Sequence, residues 1–222
     1  MQEKPRPHDE AVVAARAGAA IPRRMAAADL AKAIELLCDA FAADPVMDWI
    51  FRDGARRREA LSTYFNMALT RQSLPHDECH VAPGFEATAI WLPPHGVQSL
   101  NPGLGTQITM APLILRACGI SRIPRALAMM AAMEKHHPKH QPHWYLFFLG
   151  VLPAMQGMGL GSAILEATLS RVDDTGVAAS LDNSNPKNTR LYERHGFRVL
   201  NEYRPRADAP PILSMWRDAK KA

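Results

Sequence analysis

Two short stretches of this chain carry residue types at spacings that could do chemistry. The first is Gln156-Gly157-Met158-Gly159-Leu160-Gly161. It runs into SAILEATLSRV, where Leu165, Leu169 and Val172 fall at i, i+4 and i+7 with Ile164 and Thr168 beside them, the apolar stripe of an amphipathic helix. A glycine loop that opens a helix suits a phosphate or pyrophosphate. The N–H groups of a first helical turn lack intrahelical partners and carry partial positive charge. Glycines let an anion reach them with no Cβ in the way. No Gly-Lys-Ser/Thr follows, so this is no Walker loop, and the Gly157-x-Gly159-x-Gly161 spacing is not that of a dinucleotide fingerprint.

The second stretch is LDNSNPKNTRLYERHGF, Leu181 to Phe197. Asn188 and Tyr192 are four apart and so share a helix face. Asn185 reads as the N-cap of that helix, Pro186 as its first position and Gly196 as the residue just past its end.

The elements that must position these stretches can be read around them. Trp144–Val151 is apolar at both odd and even positions, which predicts a strand buried on both faces. Val177–Leu181 is a further strand, followed by Asp182–Asn185 as loop, and Phe197–Tyr203 and Ile212–Trp216 are two last strands. Upstream, residues 1–19 read as a disordered tail. Ile21–Met25 is a short strand, and Asp29 opens a helix with Leu30, Ile34, Leu37, Cys38 and Phe41 on its apolar side. Asp44-Pro45 ends it, Val46–Phe51 is a short helical turn, and a helix over Arg56–Leu74 begins with three arginines that read as a solvated face. Glu78–Val81 and Ala87–Leu92 form a hairpin. Gln98–Gly105 is loop, and Thr106–Cys118 and Pro124–Glu134 are helices rich in methionine, an adaptable wall for an irregular ligand.

The 222 residues suit one domain, and 47% hydrophobic with 22% charged residues is ordinary for a globular chain. A net charge of +4 is too small and too dispersed to point to nucleic acid, but suits a polyanionic cofactor. Cys38, Cys79 and Cys118 are far apart, odd in number and without a C-x-x-C, as expected of a reduced, cytoplasmic protein. The first residues do not read as a secretory signal, and no stretch approaches a membrane span. His136, His137, His140 and His143 invite a metal, but two prolines interrupt the run and no cysteine assists, so no metal is expected.

The glycine stretch resembles the Q/R-x-x-G-x-G/A signature of the GNAT superfamily of acyl-CoA-dependent N-acetyltransferases. The second stretch matches the N-x-x-x-Y-x-x-x-G-F pattern of the same family at Asn188, Tyr192, Gly196 and Phe197. The resemblance covers residues 20–218. It looks closest to the branch that includes puromycin N-acetyltransferase, on AFAADP (Ala40–Pro45), PHWYL (Pro142–Leu146), GLGSA (Gly159–Ala163) and YERHGF (Tyr192–Phe197). Asp182 departs from it, standing where the resemblance would place Glu.

The resemblance implies an α/β (α+β) GNAT fold. Its mixed central sheet has about six to seven strands, helices on both faces and a helical insertion before the central strand, with a coenzyme-binding core over about 142–200. It implies acetyl-CoA as co-substrate. Coenzyme contacts are expected at Leu149, Gly150 and Val151 on the strand, at Gln156, Gly157, Met158, Gly159, Leu160, Gly161 and Ser162 in the loop, and at Asn188 and Tyr192. In the family the asparagine contacts the pantetheine arm and the tyrosine lies near the sulfur.

The backbone N–H of Gly150 or Val151 would receive the thioester oxygen, and Tyr192 would protonate the leaving thiolate. Glu134, Asp182 and His143 are the candidates to take the amine proton. The acceptor is expected to be a small-molecule amine. It would be seated by the 95–141 insertion, with Met130, and by Phe41–Trp49, with Glu134 or Asp44 as anchor for its cation. A protein N-terminus or lysine, or a non-catalytic acyl-CoA sensor, are the alternative functions, and monomer and homodimer both stay open.

Overall fold

A computed structural model describes residues 7–100 and 104–220 of the chain. Its strands are β1 (Arg23–Arg24), β2 (Cys79–Val81), β3 (Ala87–Leu92), β4 (His143–Val151), β5 (Ala178–Asn183), β6 (Arg198–Tyr203) and β7 (Ile212–Arg217). Its α-helices are α1 (Pro7–Ala20), α2 (Leu30–Ala40), α3 (Pro45–Ile50), α4 (Arg57–Ala68), α5 (Leu104–Cys118), α6 (Ile123–His136), α7 (Leu160–Asp173) and α8 (Thr189–Arg194). The strands make one seven-stranded mixed sheet in the order β1-β2-β3-β4-β5-β7-β6, antiparallel except at β4–β5. One core, with Phe65, Leu37, Ile90 and Phe148, lies between the sheet and the helices from α2 to α6. The other, with Trp91, Leu146, Ile164 and Met215, lies beneath α7, α8 and α1. The mixed sheet, the helices on both faces and the insertion α5–α6 ahead of the central strand are as the sequence leads one to expect.

Three expectations are corrected. Residues 7–19, read as disordered tail, belong to α1, which packs on α7 and buries Ala15 and Ala19. Small alanine faces let two helices approach closely, a signal that composition-based reading of a tail discards. Residues 1–6 lie outside the described residues, as do 101–103 of the expected loop 98–105, whose last two positions already belong to α5. Asp182 and Asn183 are strand and not loop, because they continue the ladder to β7 opposite Ser214 and Leu213.

The pairing of β4 fixes the rest. It runs parallel to β5 only from His143↔Ala178 to Leu146↔Leu181. Against β3, Ile90 faces Phe148 while Trp91 faces Leu146, so Phe147 is an extra residue, a β-bulge. The bulge breaks the alternation of faces: Phe147 and Phe148 both pack on the α2–α6 side, with rings 4.1 Å apart, whereas Leu146 and Leu149 both face α7. From this point β4 and β5 are no longer paired. Gly150 lets α2 lie directly on the far half of β4, since a Cβ there would sit 3.1 Å from Leu36 and 3.3 Å from Ala40.

Arg217 anchors the two helices that follow β4. Its guanidinium makes a fork with Asp173 at the end of α7, Nη2 lying 2.9 Å from Oδ2, and its Nε donates to the carbonyl of His195 just past α8 at 2.8 Å. Arg217 is 7% exposed. Removing one partner of a buried pair leaves an uncompensated charge, partly relieved here by Lys220, 2.8 Å from Asp173. Arg217→Met is therefore expected to cost about 3 kcal/mol, the low end of such losses. Urea unfolding at pH 7 checks this, and a midpoint equal to wild type would show that the fork contributes nothing.

Candidate active site

The parted strands open a cavity of ≈ 1660 Å³ that runs from the start of α7 to the insertion. At one end stands the glycine loop. Gly159 is the N-cap of α7 with φ +88°, a left-handed conformation that glycine adopts without strain, and no side chain caps the helix. Gln156 folds back, its Nε2 donating to the carbonyl of Val151 at 3.0 Å, and so ties the loop to the end of β4. The first turn of α7 thus offers backbone N–H groups to the cavity, as a pyrophosphate requires.

Leu149, Val151, Gln156 and Gly157 line this end, as do Gly159, Gly161 and Ser162. Three expected contacts do not line it. Gly150 turns its α-carbon toward α2, Leu160 is fully buried in the core, and Met158 faces a groove between α1 and α7. The alternation of strand and helix faces, which a contiguous list of residues ignores, is the reason.

Asn188, which ends the 3-10 turn Pro186–Asn188, and Tyr192 on α8 line the cavity. Asn183 fixes where that helix starts: it is 2% exposed, donates to Thr189 Oγ1 at 3.1 Å and accepts from the Asn185 N–H at 3.2 Å. Lys187, Arg190 and Arg194 border the cavity on the same side, without an ion-pair partner among the described residues. The stem of Arg16 of α1 lies 3.2 Å from where a Cβ on Gly159 would be. Burial and the nearby charge of Asp44 hold the Tyr192 phenol above its ordinary range, so it is protonated at neutral pH.

At the other end are the carboxylates. Asp44 is the N-cap of α3, accepting from the N–H groups of Val46 and Met47 at 3.0 and 2.9 Å and from Ser184 Oγ at 2.6 Å. It thereby joins α3 to the loop after β5. Glu134 reaches the cavity from α6. Asp182 stands at the first position of β5 no longer paired with β4, across from the bulge, and accepts from the Tyr145 hydroxyl at 3.0 Å. The wall around them holds Tyr64, Phe147, Met110, Met129, Met130 and Met133. Trp49 does not take part: its indole donates to Asp208 at 3.2 Å instead.

His143 does not line the cavity. Its Nε2 meets His137 Nε2 at 3.0 Å, and His137 lines the cavity in its place. Among the described residues no three His, Cys, Asp or Glu groups are placed to hold a metal. No helix among them is long and apolar enough to cross a membrane.

Residues 117–197 match the sequence model of the acetyltransferase (GNAT) family. The fold is the GNAT fold. A solved Corynebacterium glutamicum protein, described as histone acetyltransferase HPA2 and related acetyltransferase, superposes with a TM-score of 0.66 at 22% identity, over 90% of this chain and 97% of its own. The Drosophila melanogaster polyamine N-acetyltransferase, described as forming N-acetylagmatine, gives 0.58 at 18% identity, over 89% and 98%. Arylalkylamine N-acetyltransferase 2 from Aedes aegypti gives 0.58 at 13% identity, over 90% and 98%. In GNAT terms the matched segment holds the glycine loop, the parted strands and α8.

Burial raises the Asp182 carboxyl to about 6, against the opposing hydrogen bond from Tyr145 and the influence of Tyr203. A carboxyl raised in the folded state binds more protons there than in the unfolded chain. Its contribution to stability is therefore full below pH ~4 and is lost as pH rises through ~6, by on the order of 3 kcal/mol. Asp182→Asn removes this term. The stability of the variant relative to wild type should rise by that amount between pH 4 and pH 8 in urea titrations, and a constant difference would show Asp182 to be unperturbed.

Proposed function

We propose that this chain is an N-acetyltransferase that moves an acetyl group from acetyl-CoA to the amine of a small molecule by direct attack in a ternary complex. Residues 20–218 form the catalytic unit of this reading. The observation that carries it is the single cavity that joins an uncapped glycine-opened helix, the gap between β4 and β5, and Tyr192. The match of residues 117–197 to the acetyltransferase family supports it.

Acetyl-CoA, when bound, supplies the thioester that the amine attacks. The first turn of α7 holds the pyrophosphate, with Lys187, Arg190 and Arg194 adding positive charge along α8. Leu149 and Val151 line the path of the pantetheine arm beside Asn188. Asp182 is the group that takes the amine proton: it is ionised above pH ~6 and lies at the mouth of the gap. Tyr192 gives its proton to the departing sulfur. Glu134 draws the cationic amine into the cavity.

The acceptor carries its amine on an apolar body. Methionines and aromatic side chains bound that half of the cavity, and a mostly apolar wall with few polar anchors fits a small molecule better than a peptide chain. The placement of Met130 in that wall supports the same view.

Free thiol release from acetyl-CoA, followed with a panel of aryl- and alkylamines, polyamines and peptides, tests the reading. Turnover should be fastest with apolar small amines. Tyr192→Phe should then lower turnover by about 10²–10⁴-fold while leaving coenzyme affinity by calorimetry near wild type. Unchanged turnover would make Tyr192 a packing residue. Coenzyme binding with no turnover on any amine would favour a sensor.

A further inference from the structure

Tyr203 ends β6 with its side chain 5% exposed and lines the acceptor half of the cavity. Its hydroxyl is buried and has no hydrogen-bond partner at bonding geometry among the described residues. Such a group is costly, because it has given up water without replacement. The ring cannot swing to find one: it stacks face to face on His136 of α6, with centroids 4.4 Å apart and planes 2° apart. The hydroxyl lies beside Asp182: burial first, and then the charge of that carboxylate, hold the phenol well above its usual range. On the other side Tyr145 donates to Asp182 Oδ2 at 3.0 Å, and the carboxylate lines the cavity with lone pairs left to accept further hydrogen bonds. Two acceptor atoms thus stand side by side in an otherwise apolar wall.

We propose that Tyr203 and Asp182 together seat the reacting nitrogen of the acceptor, and that the pair selects primary over secondary amines. This rests on the acetyltransferase reading above. A neutral primary amine has two N–H bonds and one lone pair. One N–H goes to the Asp182 carboxylate and the other to Tyr203 Oη, which leaves the lone pair free to attack. An N-methyl amine has one N–H, so it leaves one buried acceptor unpaired and presses a methyl group on the other. A site built to bond an N–H discriminates strongly against an analogue that lacks it.

Tyr203→Phe keeps the ring and its stack on His136, so packing is preserved. Two readouts follow. If the hydroxyl is unpartnered in the free protein, the variant unfolds at a urea midpoint equal to or above that of wild type. A lower midpoint would mean the hydroxyl is already bonded within the fold, and would overturn the proposal. In kinetics, wild type should prefer a primary amine over its N-methyl analogue by about 100-fold or more in kcat/KM. The variant should raise KM for the primary amine about tenfold and narrow the preference to within about tenfold. A purely structural role would lower both substrates alike and keep the ratio, which would also overturn it. Wild type that acetylates no amine would instead bring down the acetyltransferase reading, a result distinguishable from an unchanged ratio in an active enzyme.

Discussion

The site depends on one extra residue in a strand. Without the bulge at Phe147, β4 would keep its alternation, and Leu149 and Val151 would face α2 in place of α7. A bulge also increases local twist and disrupts the ladder, and here the pairing of β4 with β5 ends at Leu146↔Leu181, one residue before it. Everything that lines the cavity is placed relative to that gap. The glycine loop follows the end of β4 that has left β5, Asp182 is the first residue of β5 no longer paired with β4, and α8 follows β5 after a short turn. Gly150 completes the arrangement by allowing α2 to brace the unpaired half of β4 at backbone distance.

Charge is sorted along the cavity. Lys187, Arg190 and Arg194 border the end where the helix dipole of α7 is positive. Asp44, Glu134 and Asp182 border the other end. Two of these are held with their charge disfavoured: burial raises both Asp44 and Asp182. A fold optimised for stability alone would not bury carboxylates beside tyrosine hydroxyls, since each costs more than an apolar replacement of equal size. Perturbed groups of this kind cluster where chemistry is done.

Much of this was legible in the sequence. Period and glycine placement located α7 and β4 to within a residue or two, and the helix expected from Pro186 opens there as a 3-10 turn before α8 proper, because in each case local signals agree with the tertiary role. What was not legible depends on contacts distant in sequence. Asp44-Pro45 reads as a helix end, yet it is a helix start, the same Asx-Pro signature that is plain at Asn185-Pro186. Its bond to Ser184, 140 residues away, has no local signal at all. The burial of Asp182 between Tyr145 and Tyr203 follows from strand order β5-β7-β6, which no local pattern reveals. α1 was missed because its alanines bury well against α7 without being strongly apolar, so composition resembles that of a tail.

The histidines show how a cluster suggestive of metal is used otherwise. His136 stacks on Tyr203, His140 lies against Trp216 at 4.7 Å, and His137 and His143 bond each other. The carbonyl of Gln141 can only accept, so the His143 Nδ1, 3.0 Å away, carries a proton. His143 Nε2 is then the acceptor in a neutral ring, and the shared bond requires His137 to donate from Nε2. Both rings are kept neutral, since burial lowers each, His137 to about 4. The Nδ1 of His137 is left as a lone pair, and its ring sits edge-on to Tyr145 at 5.5 Å. A chain of fixed tautomers thus runs from a backbone carbonyl to the cavity wall, where His137 packs against Tyr145, the donor to Asp182. A metal would need these nitrogens free and converging, whereas the two that do converge, Nε2 of His137 and of His143, bond each other.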